Sequence, residues 1–147
     1  MERKQATAAI LNAKKEKGLT WDQIAAAVGR HEIWVTAALL GQASMGREEA
    51  FKATKILGLD AEVAWALQQC PMKGSLEETV PVDPLIYRFY EILQVYGTTI
   101  KEIIHEKFGD GIMSAIDFEM DIRKKPDPKG DRVVVTLDGK FLPYRKW

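Results

Sequence analysis

Cysteine is nearly absent. Cys70 is the single thiol, so the chain cannot bridge itself with a disulfide and reads as a protein of a reducing compartment. No run of 18 apolar residues occurs, which leaves nothing long enough to cross a membrane as a helix. The opening Met1-Glu2-Arg3-Lys4-Gln5 lacks the apolar stretch of a secretory signal, and a cytoplasmic protein is expected. An excess of charge is missing too: 21 Lys+Arg stand against 21 Asp+Glu. The balance is local as well, with ten of each sign in residues 1–80 and eleven of each in 81–147. Nucleic acids and anionic membrane surfaces attract a cationic excess, so neither is an expected partner. Histidine is scarce. His31 and His105 lie far from each other and from Cys70, without the spacing of zinc ligands, and no metal is expected. No glycine-rich phosphate loop follows a strand, and Gly109-Asp110-Gly111 is too short to count as one.

What is present describes a folded, soluble chain. At 147 residues, 46% hydrophobic and 29% charged, it is long enough to hide about 68% of its unfolded surface in a lone globule. The chain divides near residue 80. Before that point, apolar residues recur at helical spacing in five short segments: Ala9 to Ala13, Ile24 to Val28, Ile33 to Leu40, Ala50 to Leu57 and Val63 to Leu67. Gly18, Gly29, Gly41 and Gly58 follow four of them as helix stops, and Thr20 with Gln23 forms a capping box. Residues 1–80 are therefore expected to form an all-helical bundle.

Pro71, Gly74, Pro81 and Pro84, with Glu77-Glu78 among them, mark a linker. Asp83 caps a helix with Pro84 in its first turn, and this helix is expected to stop at Gly97. Thr99 and Glu102 form a second capping box, opening a helix to Phe108. From Ala115 the period becomes two: Ile116, Phe118, Met120 and Ile122 alternate with Asp117, Glu119 and Asp121. A loop over 124–130 leads to Val133-Val134-Val135-Thr136-Leu137, then Asp138-Gly139 as a type I′ hairpin turn, then Lys140-Phe141-Leu142. Two helices and about three strands in residues 81–147 leave a sheet with little to cover it. Completion by other subunits is the expectation.

Three features invite functional readings. The segments 19–29 and 32–41 resemble a helix-turn-helix. Its second helix offers Glu32, Trp34, Val35, Ala38 and Leu39 where a DNA reader carries Arg, Gln or Asn, so a scaffold or oligomerisation role is preferred. Asp117, Glu119 and Asp121 on one strand face read as a solvated surface rather than a cation site. Arg88 and Glu91 lie one turn apart on a helix whose core stripe is Leu85, Phe89, Ile92, Leu93 and Tyr96; by spacing alone they form a surface ion pair, and Ser114 is a small turn residue.

A resemblance changes the weight of those three residues. Tyr87-Arg-Phe-Tyr-Glu-Ile-Leu-Gln-Val-Tyr-Gly-Thr-Thr99, then His105-Glu-Lys-Phe-Gly-Asp-Gly-Ile-Met-Ser-Ala-Ile-Asp-Phe118, resemble the cyanase family (cyanate hydratases, or cyanate lyases). Leu137 to Pro143 and Val35 to Gln42 fit the family's C-terminal end and its helical N-terminal domain, while residues 43–80 match loosely. The resemblance implies an α+β fold: a helix-turn-helix-like N-terminal domain (1–80) and a small catalytic domain (81–147) completed by oligomerisation. It implies decomposition of cyanate with bicarbonate, a co-substrate, to ammonia and carbon dioxide through carbamate. It also implies a homodecamer built as a pentamer of dimers, with no metal or organic cofactor. Arg88, Glu91 and Ser114 fall on the family's catalytic residues, which gather at subunit interfaces. A helix-turn-helix DNA-binding regulator that dimerises through its C-terminal half remains an alternative, as does a cyanase-like scaffold without turnover.

Overall fold

The computed structural model describes residues 1–71, 74 and 79–145. It divides into two compact units, Met1–Ser75 and Leu76–Trp147. The expected linker acids Glu77 and Glu78 lie outside the described residues.

The first unit is five helices: α1 (Arg3–Lys17), α2 (Trp21–Val28), α3 (Glu32–Leu39), α4 (Arg47–Leu57) and α5 (Ala61–Gln68). Their ends follow local chemistry. The Thr20 hydroxyl accepts the Gln23 amide at 3.1 Å while the Gln23 side chain accepts the Thr20 amide at 2.9 Å, and Asp60 accepts two amides at the start of α5. All four expected glycine stops take positive φ, from 62° at Gly18 to 90° at Gly41. Each helix turns a narrow apolar stripe inward. Ile10, Ile24, Val35, Leu39, Leu57, Val63 and Leu67 are the large side chains that the stripes enclose.

The Arg3 side chain ties this core together. Its guanidinium donates to the carbonyls of Ala66 (2.8 Å), Ala38 (2.9 Å) and Ala43, near the C-terminal ends of α3 and α5 where carbonyls lack helical partners. Burial lowers the Arg3 pKa from its ordinary value, yet an arginine keeps its charge at neutral pH.

The α2–α3 pair turns its apolar residues inward. Val35, Ala38 and Leu39 face the core and are fully enclosed, rather than being offered outward on a second, groove-reading helix. Trp34 packs against the edge of that core under Arg30 at 4.7 Å, and Glu32 lies in the first turn. An acidic, core-anchored helix has no row of base-reading side chains to present.

The second unit is one long helix and a two-stranded antiparallel ribbon: α6 (Pro84–Phe108), β1 (Gly111–Lys125) and β2 (Arg132–Pro143). Together with the helical unit this is an α+β chain. Asp83 caps α6 as expected, accepting the Leu85 and Ile86 amides at 2.9 Å. Gly97 does not end the helix. A mid-helix glycine costs about 1 kcal/mol but keeps its N–H in the ladder, so the helix continues through it although the adjoining Val95, Tyr96, Thr98 and Thr99 are themselves weak helix formers, and the Thr99 box opens nothing.

The ribbon differs from expectation in two ways, its number of strands and where it begins, while the loop expected over 124–130 holds the reversal. It has two strands rather than three, because β2 runs unbroken through Asp138-Gly139. The reversal lies at 126–131, where Asp127 accepts the Lys129 amide at 2.9 Å on its side chain and the Gly130 amide at 3.0 Å on its carbonyl. Also, β1 begins at Gly111 rather than Ala115, so Ser114 lies inside a strand. The pairing is regular from Phe118↔Gly139 to Lys125↔Arg132 and from Gly111↔Pro143 to Met113↔Phe141, with an irregular stretch between. Within this unit α6 meets the ribbon near its last turn, where Phe108 packs on Phe141 at 5.3 Å and His105 Nε2 lies 3.1 Å from the Gly111 carbonyl.

Candidate active site

Arg88 and Glu91 sit on the second turn of α6. Their side chains meet at 3.6 Å, Nη1 to Oε2, as the one-turn spacing requires. That separation is an ion pair but too long for a hydrogen bond, so among the described residues the planar fork of Arg88 keeps its directional donors unspent. Arg88 is 65% exposed and Glu91 49% exposed. Tyr87 flanks the guanidinium at 5.7 Å, with Tyr90 beyond it. Around them the expected core stripe lies open: α6 has no buried residue, and Leu85, Phe89, Ile92, Leu93 and Tyr96 all face outward in the single chain.

Ser114 occupies the opposite kind of place. Only 6% of it is exposed, and it stands in the irregular stretch of β1 rather than in a turn. Its Oγ accepts the amides of Ile116 (3.1 Å) and Asp117 (2.9 Å). Both bonds use oxygen lone pairs, which leaves the hydroxyl proton uncommitted among the described residues. The structure thus brings Arg88 and Glu91 together and does not bring Ser114 to them. Arg88 lies about 25 Å of helical rise from His105, the residue that binds the far end of α6 to the strand carrying Ser114.

The remaining candidates are accounted for by local structure. Asp117 falls in the irregular stretch, 3.9 Å from Lys140, and Glu119 faces Asp138 across the ribbon, so the acidic alternation is regular only beyond Phe118. Among the described residues no group of three His, Cys, Asp or Glu side chains could hold a metal ion. His31 caps α3, accepting the Ile33 amide at 3.2 Å, and Cys70 is exposed. His105 has a role that its isolation in sequence conceals. Beside the Gly111 carbonyl it also has Asp110 at 3.7 Å and the Tyr144 ring edge-on at 6.5 Å. The signal available was its place one turn before the Gly109-Asp110-Gly111 break. Among the described residues no helix is long and apolar enough to cross a membrane.

Comparison with known proteins meets this arrangement from both ends of the chain. Residues 78–146 match the family described as "Cyanate lyase C-terminal domain", and residues 3–71 match "Cyanate hydratase, N-terminal". A cyanate hydratase of Polaromonas sp. (strain JS666 / ATCC BAA-500) is 58% identical over 147 residues, covering all of both chains. One from Synechococcus sp. (strain CC9311) is 57% identical over 141 residues, 96% of this chain and 94% of that one. The crystal structure of a cyanase from T. urticae superposes with a TM-score of 0.83 at 42% identity, covering 94% of this chain and 96% of the other. Two family matches that together span nearly the whole chain, joined to a shared fold, place this chain in the cyanase (cyanate hydratase) family.

Proposed function

We propose that the chain catalyses the bicarbonate-dependent decomposition of cyanate to ammonia and carbon dioxide through carbamate, in the cytoplasm. Arg88, Glu91 and Ser114 act at sites shared between subunits of a homo-oligomer, a decamer arranged as a pentamer of dimers. The reaction calls on no metal or organic cofactor, bicarbonate being the co-substrate. Catalysis belongs to residues 81–147, and residues 1–80 serve as scaffold.

The observation that carries this reading is the state of Arg88: a cationic fork, unspent by its own ion pair, on a helix whose apolar face is uncovered. Cyanate and bicarbonate are both anions. Bringing them within 4 Å costs about 1 kcal/mol in water and about 4 kcal/mol at a protein-like dielectric. That repulsion has to be removed before a bicarbonate oxygen can attack the cyanate carbon. Guanidinium groups suit the task because they remain cationic and bind planar oxyanions through two parallel bonds. Copies of Arg88 from neighbouring protomers supply one cation for each anion. Confining both reactants in one cavity then provides most of the remaining rate advantage.

Ser114 acts as a donor. Its oxygen is occupied by the Ile116 and Asp117 amides, so its proton is the group left to offer an anion. Glu91 orients Arg88 or carries a proton. Release of carbon dioxide from cyanate, measured with and without bicarbonate, is the test. Bicarbonate-dependent release supports the reading; a well-folded oligomer with no release overturns it in favour of a scaffold without turnover.

A further inference from the structure

Ser114 lies in a stretch of strand without regular pairing, which raises the question of what holds its hydroxyl still. Between the Met113↔Phe141 and Phe118↔Gly139 pairs, β1 places four residues, 114–117, where β2 places only Lys140. The surplus forms an enlarged bulge, bigger than the usual two residues against one. The Ser114 hydroxyl is part of the bulge's own framework, because it accepts the Ile116 and Asp117 amides. Any shift of the bulge therefore moves the hydroxyl with it.

Across from this bulge stands Gly139. A Cβ placed on Gly139 would lie under 3.0 Å from the Ser114 carbonyl oxygen and from Met113 Cγ, closer than side-chain carbons approach unbonded atoms. A methionine side chain can swing away. The Ser114 carbonyl cannot move without rotating the peptide that carries the serine. Gly139 is not among the described glycines with positive φ, so its glycine serves space rather than backbone conformation.

We propose that Gly139 is a positioning residue for Ser114: the void left by its missing side chain receives the Ser114 carbonyl, and so the second strand sets where the serine hydroxyl points. This inference rests on the reading of Ser114 as a catalytic group.

The test compares assembled Gly139→Ala, Ser114→Ala and the double variant by kcat and KM for carbon dioxide release from cyanate. Gly139→Ala is expected to lose about a hundredfold in kcat, the scale of a reacting group displaced by about 1 Å, with the same kcat-against-KM split as Ser114→Ala. The double variant is expected to be no worse than Ser114→Ala alone. Met113→Ala/Gly139→Ala removes the side-chain part of the crowding and is expected to assemble and retain the loss, since the carbonyl part remains. Turnover within about twofold of wild type in Gly139→Ala overturns the inference. So do multiplicative losses in the double variant, recovery on adding Met113→Ala, or failure of both Gly139 variants to assemble, which makes Gly139 a folding residue. An unimpaired Ser114→Ala removes the underlying reading instead, whereas an impaired Ser114→Ala beside an unimpaired Gly139→Ala removes this inference alone.

Discussion

In the five-helix unit, Ile10, Ile24, Leu39, Leu57 and Leu67 are each less than 2% exposed; on α6, Leu85 and Leu93 are 69% and 61% exposed. Both sets recur at helical spacing, and both read as core stripes. The helical unit has enough layers to cover its own stripes. The other unit offers its long helix only a two-stranded ribbon, which meets it near one end. Apolar periodicity thus identifies which side chains are to be buried without identifying what buries them. In the proposed assembly the answer for α6 is another copy of the chain, and the active groups on α6 are placed where that copy arrives.

Four experiments can break this contrast or sharpen it. The largest effect is expected inside the helical unit: Leu39→Ala should cost about 3 kcal/mol of unfolding free energy, because it empties a core sealed by the same chain. Urea unfolding checks this, and the loss should not depend on protein concentration. Next comes Arg88→Lys. It keeps the charge, loses the fork, and should lower kcat/KM by about a hundredfold, or ~2.7 kcal/mol, with little change in Tm because the cation and most of the aliphatic stem remain. Wild-type turnover in that variant removes the bidentate role.

Dilution is a milder probe. If partners cover α6, each tenfold dilution should weaken the second unit by about 1.4 kcal/mol per dissociation step, while the helical unit is unaffected. In a Trp147→Phe background, near-ultraviolet signals from the tyrosines, all in the second unit, and from Trp21, Trp34 and Trp65 follow the two separately. A concentration-independent monomer in light scattering would end the contrast. The smallest effect on stability belongs to Glu91→Gln, which removes a half-exposed ion pair worth about 0.3 kcal/mol. Its turnover is the informative quantity. A lowered rate with an altered pH profile assigns Glu91 to proton transfer, and an unchanged profile with retained rate leaves it only the orientation of Arg88.

The elements most legible in the sequence are those decided within a few residues. The Thr20–Gln23 box, the Asp83 cap with Pro84, and the glycine stops in the helical unit are local bargains between side chain and backbone, and the structure keeps each of them. Gly97 shows the limit of that logic. The same residue type ends a helix after Lys17, where it takes a positive φ, and is absorbed inside α6, where it does not and the ladder runs on at a cost of about 1 kcal/mol. Asp138-Gly139 shows another limit. The glycine is needed, but for the backbone approaching it from β1, 25 residues earlier in the chain, and no local rule reads such a partner. For the same reason Ser114 looks like a turn residue in sequence: a bulge is a mismatch between two strands and is visible only when both are paired. The Arg88–Glu91 contact was legible as geometry from its spacing. Its chemical meaning came from the family resemblance.

Among the described residues the ribbon has two strands only and an unpaired outer edge on each side. In the proposed assembly, a protomer fresh from the ribosome presents open hydrogen-bonding templates beside a bare greasy helix until sibling chains cover them. The charges along the ribbon, among them Asp121, Arg123, Lys124 and Lys125, act as gatekeepers in that interval by disfavouring indiscriminate stacking. Recombinant yield should consequently fall when synthesis is quick and chaperones are scarce, and the insoluble fraction should carry the signature of extended β-structure.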